Sequence, residues 1–380
     1  MRLYHVYRTT CLVTYGFTNH SELYAACLHA YKRNLMHEVS DFRSDTVTKP
    51  TPEMYEAMVA APLGDDVFGD DPTVIKLQEI AAEKLGKEAS LFVPSGVMGN
   101  EIAVGILTRP GDEVICENQC HIFDYETGAL AALNGVQVRP LPGVKGMLKL
   151  ADVLRAVQDP ESYHPRTGLV SLENTHNMAG GKILPQDEVI EMGRVVHDIG
   201  LPFHLDGARL ANAAVATNKS MAELAEPFDT VMITLSKSLG SPIGSIVAGS
   251  EGFITEAHRM RKMLGGGMRQ VGILAACGII SLEKMVDRLA EDHENCQKLG
   301  KGLSEINGIE ADLSSADTNM LFFKVEIGNR DPEDVRQALE KRGVLALYLT
   351  PTIWRMVTHY DVDADDVDKA IRAWSDVLTE

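Results

Sequence analysis

The chain has 380 residues, 45% hydrophobic and 24% charged, a composition that excludes a miniprotein, a lone binding module and wholesale disorder. Its 54 acidic against 36 basic residues give a net charge of −18, which argues against nucleic acid or an anionic membrane as a general partner, because counterion release needs basic surface. Six cysteines, Cys11, Cys27, Cys116, Cys120, Cys277 and Cys296, are too sparse for a disulfide framework, and the apolar runs fall well short of the ~18 residues of a membrane span.

Residues 1–40 stand apart, rich in aromatic, His and Cys residues. They read as a non-catalytic extension or as a leader, so the expected location is cytoplasmic, or mitochondrial if the extension is a transit peptide. From 41 to 285, short β-branched runs alternate with helical stretches. The expected order is strand 90–93, helix 96–107, strand 113–116, helix 124–133, strand 137–141, helix 151–158, strand 169–173 and helix 186–199. Strand 202–206, helix 208–216 and strands 230–235 and 245–248 follow. Several of these runs are apolar throughout, the pattern of strands covered on both faces, which predicts an α/β domain on a mainly parallel sheet. After helices near 271–285 and 290–305, the tail reads as strand 319–325, helix 332–342, strands 344–349 and 354–358 and helix 363–377. This predicts a smaller α+β domain over 286–380.

Ligands of open α/β sheets gather outside the carboxyl ends of the strands, and four such ends carry chemistry. The first runs from strand 90–93 through Pro94-Ser95-Gly96-Val97 into a helix, a turn that serves either as an ordinary cap or as a cradle of free N–H groups for a phosphate. It is neither a Walker loop nor a dinucleotide fingerprint. The second is His204-Leu205-Asp206-Gly207-Ala208-Arg209, where alternation puts His204 and Asp206 on one face. At the third, Ser236-Lys237-Ser238, the lysine is either a solvated charge or a desolvated amine able to form a Schiff base. The fourth ends in His176, and His121 follows the strand near Cys116. Cys116, Cys120 and His121 are one residue too widely spaced for haem attachment, and no second ligand pair supports zinc, so no metal is expected. A phosphate cradle, a lysine for an aldehyde and an aspartate for a ring nitrogen together fit pyridoxal phosphate (PLP).

The run Asp41-Phe42-Arg43-Ser44-Asp45-Thr46, the stretch Gly64-Asp65-Asp66-Val67-Phe68-Gly69, the strand ends quoted above and Gly265-Gly266-Gly267-Met268-Arg269-Gln270 resemble the low-specificity threonine aldolases. These are PLP enzymes of the aspartate-aminotransferase-like fold, fold type I. The resemblance implies Lys237 as the lysine that binds the cofactor and Asp206 as partner of its ring nitrogen. It implies His121 stacked on the ring and His176 near the substrate hydroxyl, acting as base directly or through water. Gly96, Val97 and Ser236 match phosphate-binding positions, with Arg269 adding charge from a neighbouring subunit. Ser44, Arg209 and Arg355 match groups that hold an amino acid's carboxylate. The implied reaction is cleavage of L-threonine or L-allo-threonine to glycine and acetaldehyde by a homodimer or homotetramer with active sites between subunits. Racemase or β-eliminating lyase chemistry is the alternative on the same scaffold, and a catalytically silent interaction protein is the alternative of another class. Two residues depart from the family pattern: Val97 where many relatives have Thr, and Phe68 where bacterial relatives often have Tyr.

Overall fold

The structure, a computed structural model, describes residues 39–158 and 163–380. The extension expected over 1–40 therefore lies, Val39 and Ser40 apart, outside the described residues. Two helices that the sequence reading had not placed come first. Helix α1 (Pro52–Ala60) is capped by the Thr51 side chain, and α2 (Pro72–Leu85) by Asp71, with a proline in the first turn of each. They pack through Met54, Leu77 and Ala81 into the main core.

The alternating segment then follows as β1 (Ala89–Val93), α3 (Gly96–Leu107), β2 (Glu113–Glu117), α4 (His121–Asp124), α5 (Ala129–Asn134), β3 (Gln137–Leu141), β4 (Thr167–Glu173), α6 (Gln186–Asp198), β5 (Phe203–Asp206), α7 (Leu210–Thr217), β6 (Thr230–Thr234), β7 (Ser245–Gly249), α8 (Glu251–Met263) and α9 (Gly272–Ile280). The strands form a seven-stranded sheet in the order β1-β7-β6-β5-β4-β2-β3. Strand β7 runs antiparallel to both neighbours and the remaining pairs are parallel. Every residue of β2, β4 and β6 is buried, which is why these runs lack polar alternation. The register sets Glu173 beside Asp206 and Asp206 beside Met232, so the polar ends of β4 and β5 share one edge of an apolar sheet.

The C-terminal part comprises α10 (Leu289–Ser304), β8 (Ile309–Ala311), β9 (Met320–Val325), α11 (Pro332–Lys341), β10 (Leu347–Tyr348), β11 (Ile353–Val357) and α12 (Ala364–Thr379). Its antiparallel sheet has the order β8-β9-β11-β10. A second core lies here, with Trp354 and Trp374 edge to face at 4.9 Å. Phe42 belongs to this core, and Ser40–Asp41 pairs in parallel with Val344–Leu345, so the start of the described chain is tied to its far end.

Three expectations are corrected. The helix over 124–133 is broken, because Thr127 and Gly128 take φ of 56° and 72°; the break turns the Glu126 carboxyl inward. The helix over 208–216 starts at Leu210, since the Ala208 N–H bonds back to Asp206 Oδ1 at 3.1 Å. The strand over 344–349 is two short strands with different partners, Val344–Leu345 beside Ser40–Asp41 and Leu347–Tyr348 beside β11.

Candidate active site

Helix α3 comes down on the carboxyl end of β6 at its N-terminus. A Cβ on Gly99 would come within 2.7 Å of Met232 Cγ, so glycine is what permits this approach. Ser95 caps the helix by accepting the Met98 N–H, which leaves the N–H groups of Gly96 and Val97 without acceptors among the described residues. One helical turn on, the buried Asn100 points into the sheet edge. Its Nδ2 donates to Asp206 Oδ2 at 2.9 Å and to Glu126 Oε1 at 2.8 Å. His204 stands on the same strand face as Asp206, as alternation required, and donates from Nε2 to Asn100 Oδ1 at 3.2 Å. Burial pushes His204 down to about 4, so it is neutral and structural.

Lys237 follows β6 in a tight turn held by the Thr48 hydroxyl, which donates to the Lys237 carbonyl at 2.8 Å. Its amine has no hydrogen-bond or ion-pair partner among the described residues, and neither has the Ser236 hydroxyl. Burial, and then the positive charge of Arg209, lower the Lys237 pKa and favour the nucleophilic free amine. The Ser238 hydroxyl donates to Asp45 Oδ2 at 2.9 Å and accepts from Asn319 Nδ2 at 3.1 Å, linking this turn to the C-terminal sheet.

The two histidines differ. His121 is half-buried, with Nδ1 on Glu126 Oε1 at 2.8 Å and its ring stacked on Tyr125 at 5.7 Å; Nε2 has no partner among the described residues. Burial opposes its charge, but the Glu126 hydrogen bond and Asp206 outweigh burial and raise the pKa. The backbone N–H of His121 is held by Glu173 Oε2 at 2.6 Å. His176 is buried and fully engaged: Nδ1 accepts the Ala179 N–H at 3.2 Å, and Nε2 faces Glu117 Oε2 at 3.0 Å. Burial is again outweighed, here by Glu117, and the pKa is raised. Gly146, at φ of 86°, closes over this ring; a Cβ there would sit 2.5 Å from His176 Cγ. For His176 to take a proton at Nδ1, the Ala179 contact has to open.

The cations also divide. Arg209 gives Nε and Nη2 hydrogens to Asp45 at 2.8 and 2.7 Å, in a buried pair. Burial works against the Asp45 carboxylate, yet Arg209 holds it well below the usual range. Arg355 makes no ion pair among the described residues. Its Nη1 and Nη2 reach Asn177 Oδ1 at 3.4 Å and the Arg43 carbonyl at 3.1 Å, and Nε is buried without a partner. Ser44 caps the turn beside them, accepting the Thr46 N–H at 3.2 Å. Arg269 is not brought to this cluster: it is exposed and pairs with Asp65 at 3.1 Å. Phe68 is 80% exposed.

Asn100, Glu117, Glu126, Glu173 and Asp45 were not among the residues singled out in the sequence. Asn100 carried a usable signal, standing one helical turn after Gly96 and so on the same face. Glu126 gave none until the helix break turned it inward.

The donor set fits pyridoxal phosphate: an unpaired lysine amine, a carboxylate held open by single N–H donors on each oxygen, and unsatisfied N–H groups at a helix start. Fold and site thus define an α/β enzyme of the PLP-dependent class. A family model described as beta-eliminating lyase matches residues 41–326. The Arabidopsis thaliana protein named low-specificity L-threonine aldolase 1 is 39% identical over 343 residues, 89% of this chain and 96% of its own length. The Escherichia coli (strain K12) low specificity L-threonine aldolase is 42% identical over 335 residues, 88% and 98% of the two chains. Among solved structures, the Leishmania major threonine aldolase has a TM-score of 0.78 at 22% identity, covering 89% of this chain and 99% of that one. The chain belongs to the beta-eliminating lyase family and, within it, to the low-specificity L-threonine aldolases. The cofactor of this family is PLP; a serine palmitoyltransferase structure with PLP shares the fold at TM-score 0.69 and 17% identity.

Proposed function

We propose that the protein cleaves L-threonine or L-allo-threonine to glycine and acetaldehyde. The observation that carries this reading is Arg355, a half-buried cation without a carboxylate partner among the described residues, together with a lysine–aspartate pair suited to the cofactor. Lys237 would hold the cofactor's aldehyde carbon, Asp206 would keep a proton on its ring nitrogen, and Gly96, Val97 and Ser236 would bind its phosphate. When bound, PLP supplies a sink for the electron pair left at Cα as Cα–Cβ breaks.

The chain's own residues do the rest. Arg355 holds the substrate carboxylate with its planar fork, with Ser44 at its side; Arg209, neutralised by Asp45, orients rather than attracts. The β-hydroxyl proton passes to His121 Nε2, the open imidazole nitrogen, as the Cα–Cβ bond breaks and acetaldehyde leaves. His176, fixed by Glu117 and Ala179, forms the dry wall facing the hydroxyl. In a homodimer or homotetramer, Arg269 would add positive charge at the phosphate held by a neighbouring subunit. The four described cysteines, free and buried, support a reducing cytoplasmic setting.

Product analysis after incubation with PLP and either threonine epimer tests the reading. Glycine and acetaldehyde in equal amounts support it. Racemised amino acid, or ammonia with a keto acid, assigns the same site to the alternative chemistries.

A further inference from the structure

Glu126 is a buried carboxyl group that no step above uses. Its Oε1 meets both His121 Nδ1 and Asn100 Nδ2 at 2.8 Å, while Oε2 is buried with no partner. The Asn100 amide has two hydrogens, and the second lies on Asp206 Oδ2 at 2.9 Å. The amide cannot be turned round: Oδ1 accepts from His204 Nε2, whose other nitrogen takes the Thr230 hydroxyl at 2.9 Å, and a flip would set the amide oxygen against two carboxylates. One ring or carboxylate atom from each of His121, Glu126 and Asp206 lies within 4.8 Å of the others.

We propose that Glu126 is a positioning residue of this site: it locks His121 with its proton on Nδ1 and, through the shared Asn100 amide, is coupled to Asp206. This rests on reading the crevice as the cofactor site. An oxygen that accepts from Asn100 and also faces an imidazole nitrogen is best met by an N–H donor there, which leaves Nε2 as the open nitrogen of His121. The charged and titratable groups around Glu126 are consistent with this. Burial and Asp206 raise its pKa while His121 and Asn100 oppose them. Glu101, on α3, is pushed up to about 8 by burial and by Glu126, so it adds little competing charge near neutral pH.

The test uses PLP-loaded wild type, E126L and N100S, with two readouts besides turnover: the tautomer of His121 by ¹⁵N-histidine NMR, assigned with an H121Q sample, and the pH titration of the cofactor's visible band. Appearance of that band in the wild type reports on the cofactor reading; the comparison of variants reports on Glu126. In the wild type, Nδ1 of His121 is expected to carry the proton. In E126L, which removes both the charge and the acceptor, the tautomer is expected to be lost and the band's pKa to fall by about one unit, since a negative charge near a cationic chromophore has been removed. N100S, which leaves the Glu126–His121 contact in place, is expected to move the band and keep the tautomer. A bare Nδ1 in the wild type overturns the proposal without any variant having to fold. So does a folded E126L whose tautomer and titration are those of the wild type, or an N100S whose band does not move.

Discussion

Asp45 takes two hydrogens from Arg209 in a buried fork-to-fork pair, at 2.8 and 2.7 Å, and also accepts from Ser238, the residue after Lys237. The charge of Arg209 is thereby spent inside the protein, and the pair anchors the turn that presents the lysine. Arg355, on β11, is left as the cation with charge to offer.

Removing Asp45 strands a buried guanidinium. D45N is expected to lose ~3–5 kcal/mol of stability, the cost of breaking a buried ion pair from one side, read as a lower melting temperature of the cofactor-free protein. An unchanged melting temperature contradicts the role given to the pair.

The proposed role of Arg355 is in substrate binding rather than turnover. A hydrogen bond to a charged group contributes ~1.5–3 kcal/mol, so R355Q is expected to raise KM for threonine by roughly 10- to 100-fold. The change in kcat is expected to be smaller, and R355K to recover part of the loss, since an ammonium lacks the planar fork. Steady-state kinetics on the three proteins measure this directly.

The alternation of strands and helices, the parallel sheet and the clustering of Lys237, Asp206 and the start of α3 were all legible in the sequence, because the buried strands have apolar interiors and carry their polar residues mainly at their ends. What was not legible arose from long-range pairing. Nothing local to Arg209 says that Asp45, 164 positions away, neutralises it. Nothing local to His176 says that Glu117 and the Ala179 N–H occupy its nitrogens. Helix α2 was missed although its Asp71-Pro72 start and Gly86 end are ordinary boundary signals, while the break at Thr127 and Gly128 depended on a single glycine in a run that otherwise reads as helix.

The two histidines should separate by mutation. H121Q is expected to lower kcat by ~10²-fold or more, the range of a lost general base, with cofactor binding weakened less. H176F removes a buried partner from Glu117 and is expected to lower thermal stability, with a smaller fall in kcat. A larger kcat loss for H176F than for H121Q returns the proton-accepting role to His176.

Acid stability follows from buried histidines. His293 on α10 donates from Nε2 to Asn212 Oδ1 at 3.0 Å, and burial pushes its pKa from 6.5 down to about 4; His204 is lowered likewise. Between those pH values the unfolded chain binds protons that the folded chain excludes, so both histidines make stability fall as pH falls. Asp292 acts in the opposite sense below pH 6, its pKa being raised to about 6 by burial. H293Q keeps a donor for Asn212 and is expected to flatten the fall of melting temperature between pH 6.5 and 4; a slope equal to that of the wild type contradicts the assignment.

Borohydride reduction of the PLP-loaded protein, followed by peptide mass spectrometry, tests the centre of this account. The expected result is the reduced cofactor on the peptide containing Lys237, lost in K237A together with acetaldehyde release from threonine. Cofactor fixed on another lysine, or K237A releasing acetaldehyde at the wild-type rate, would contradict it.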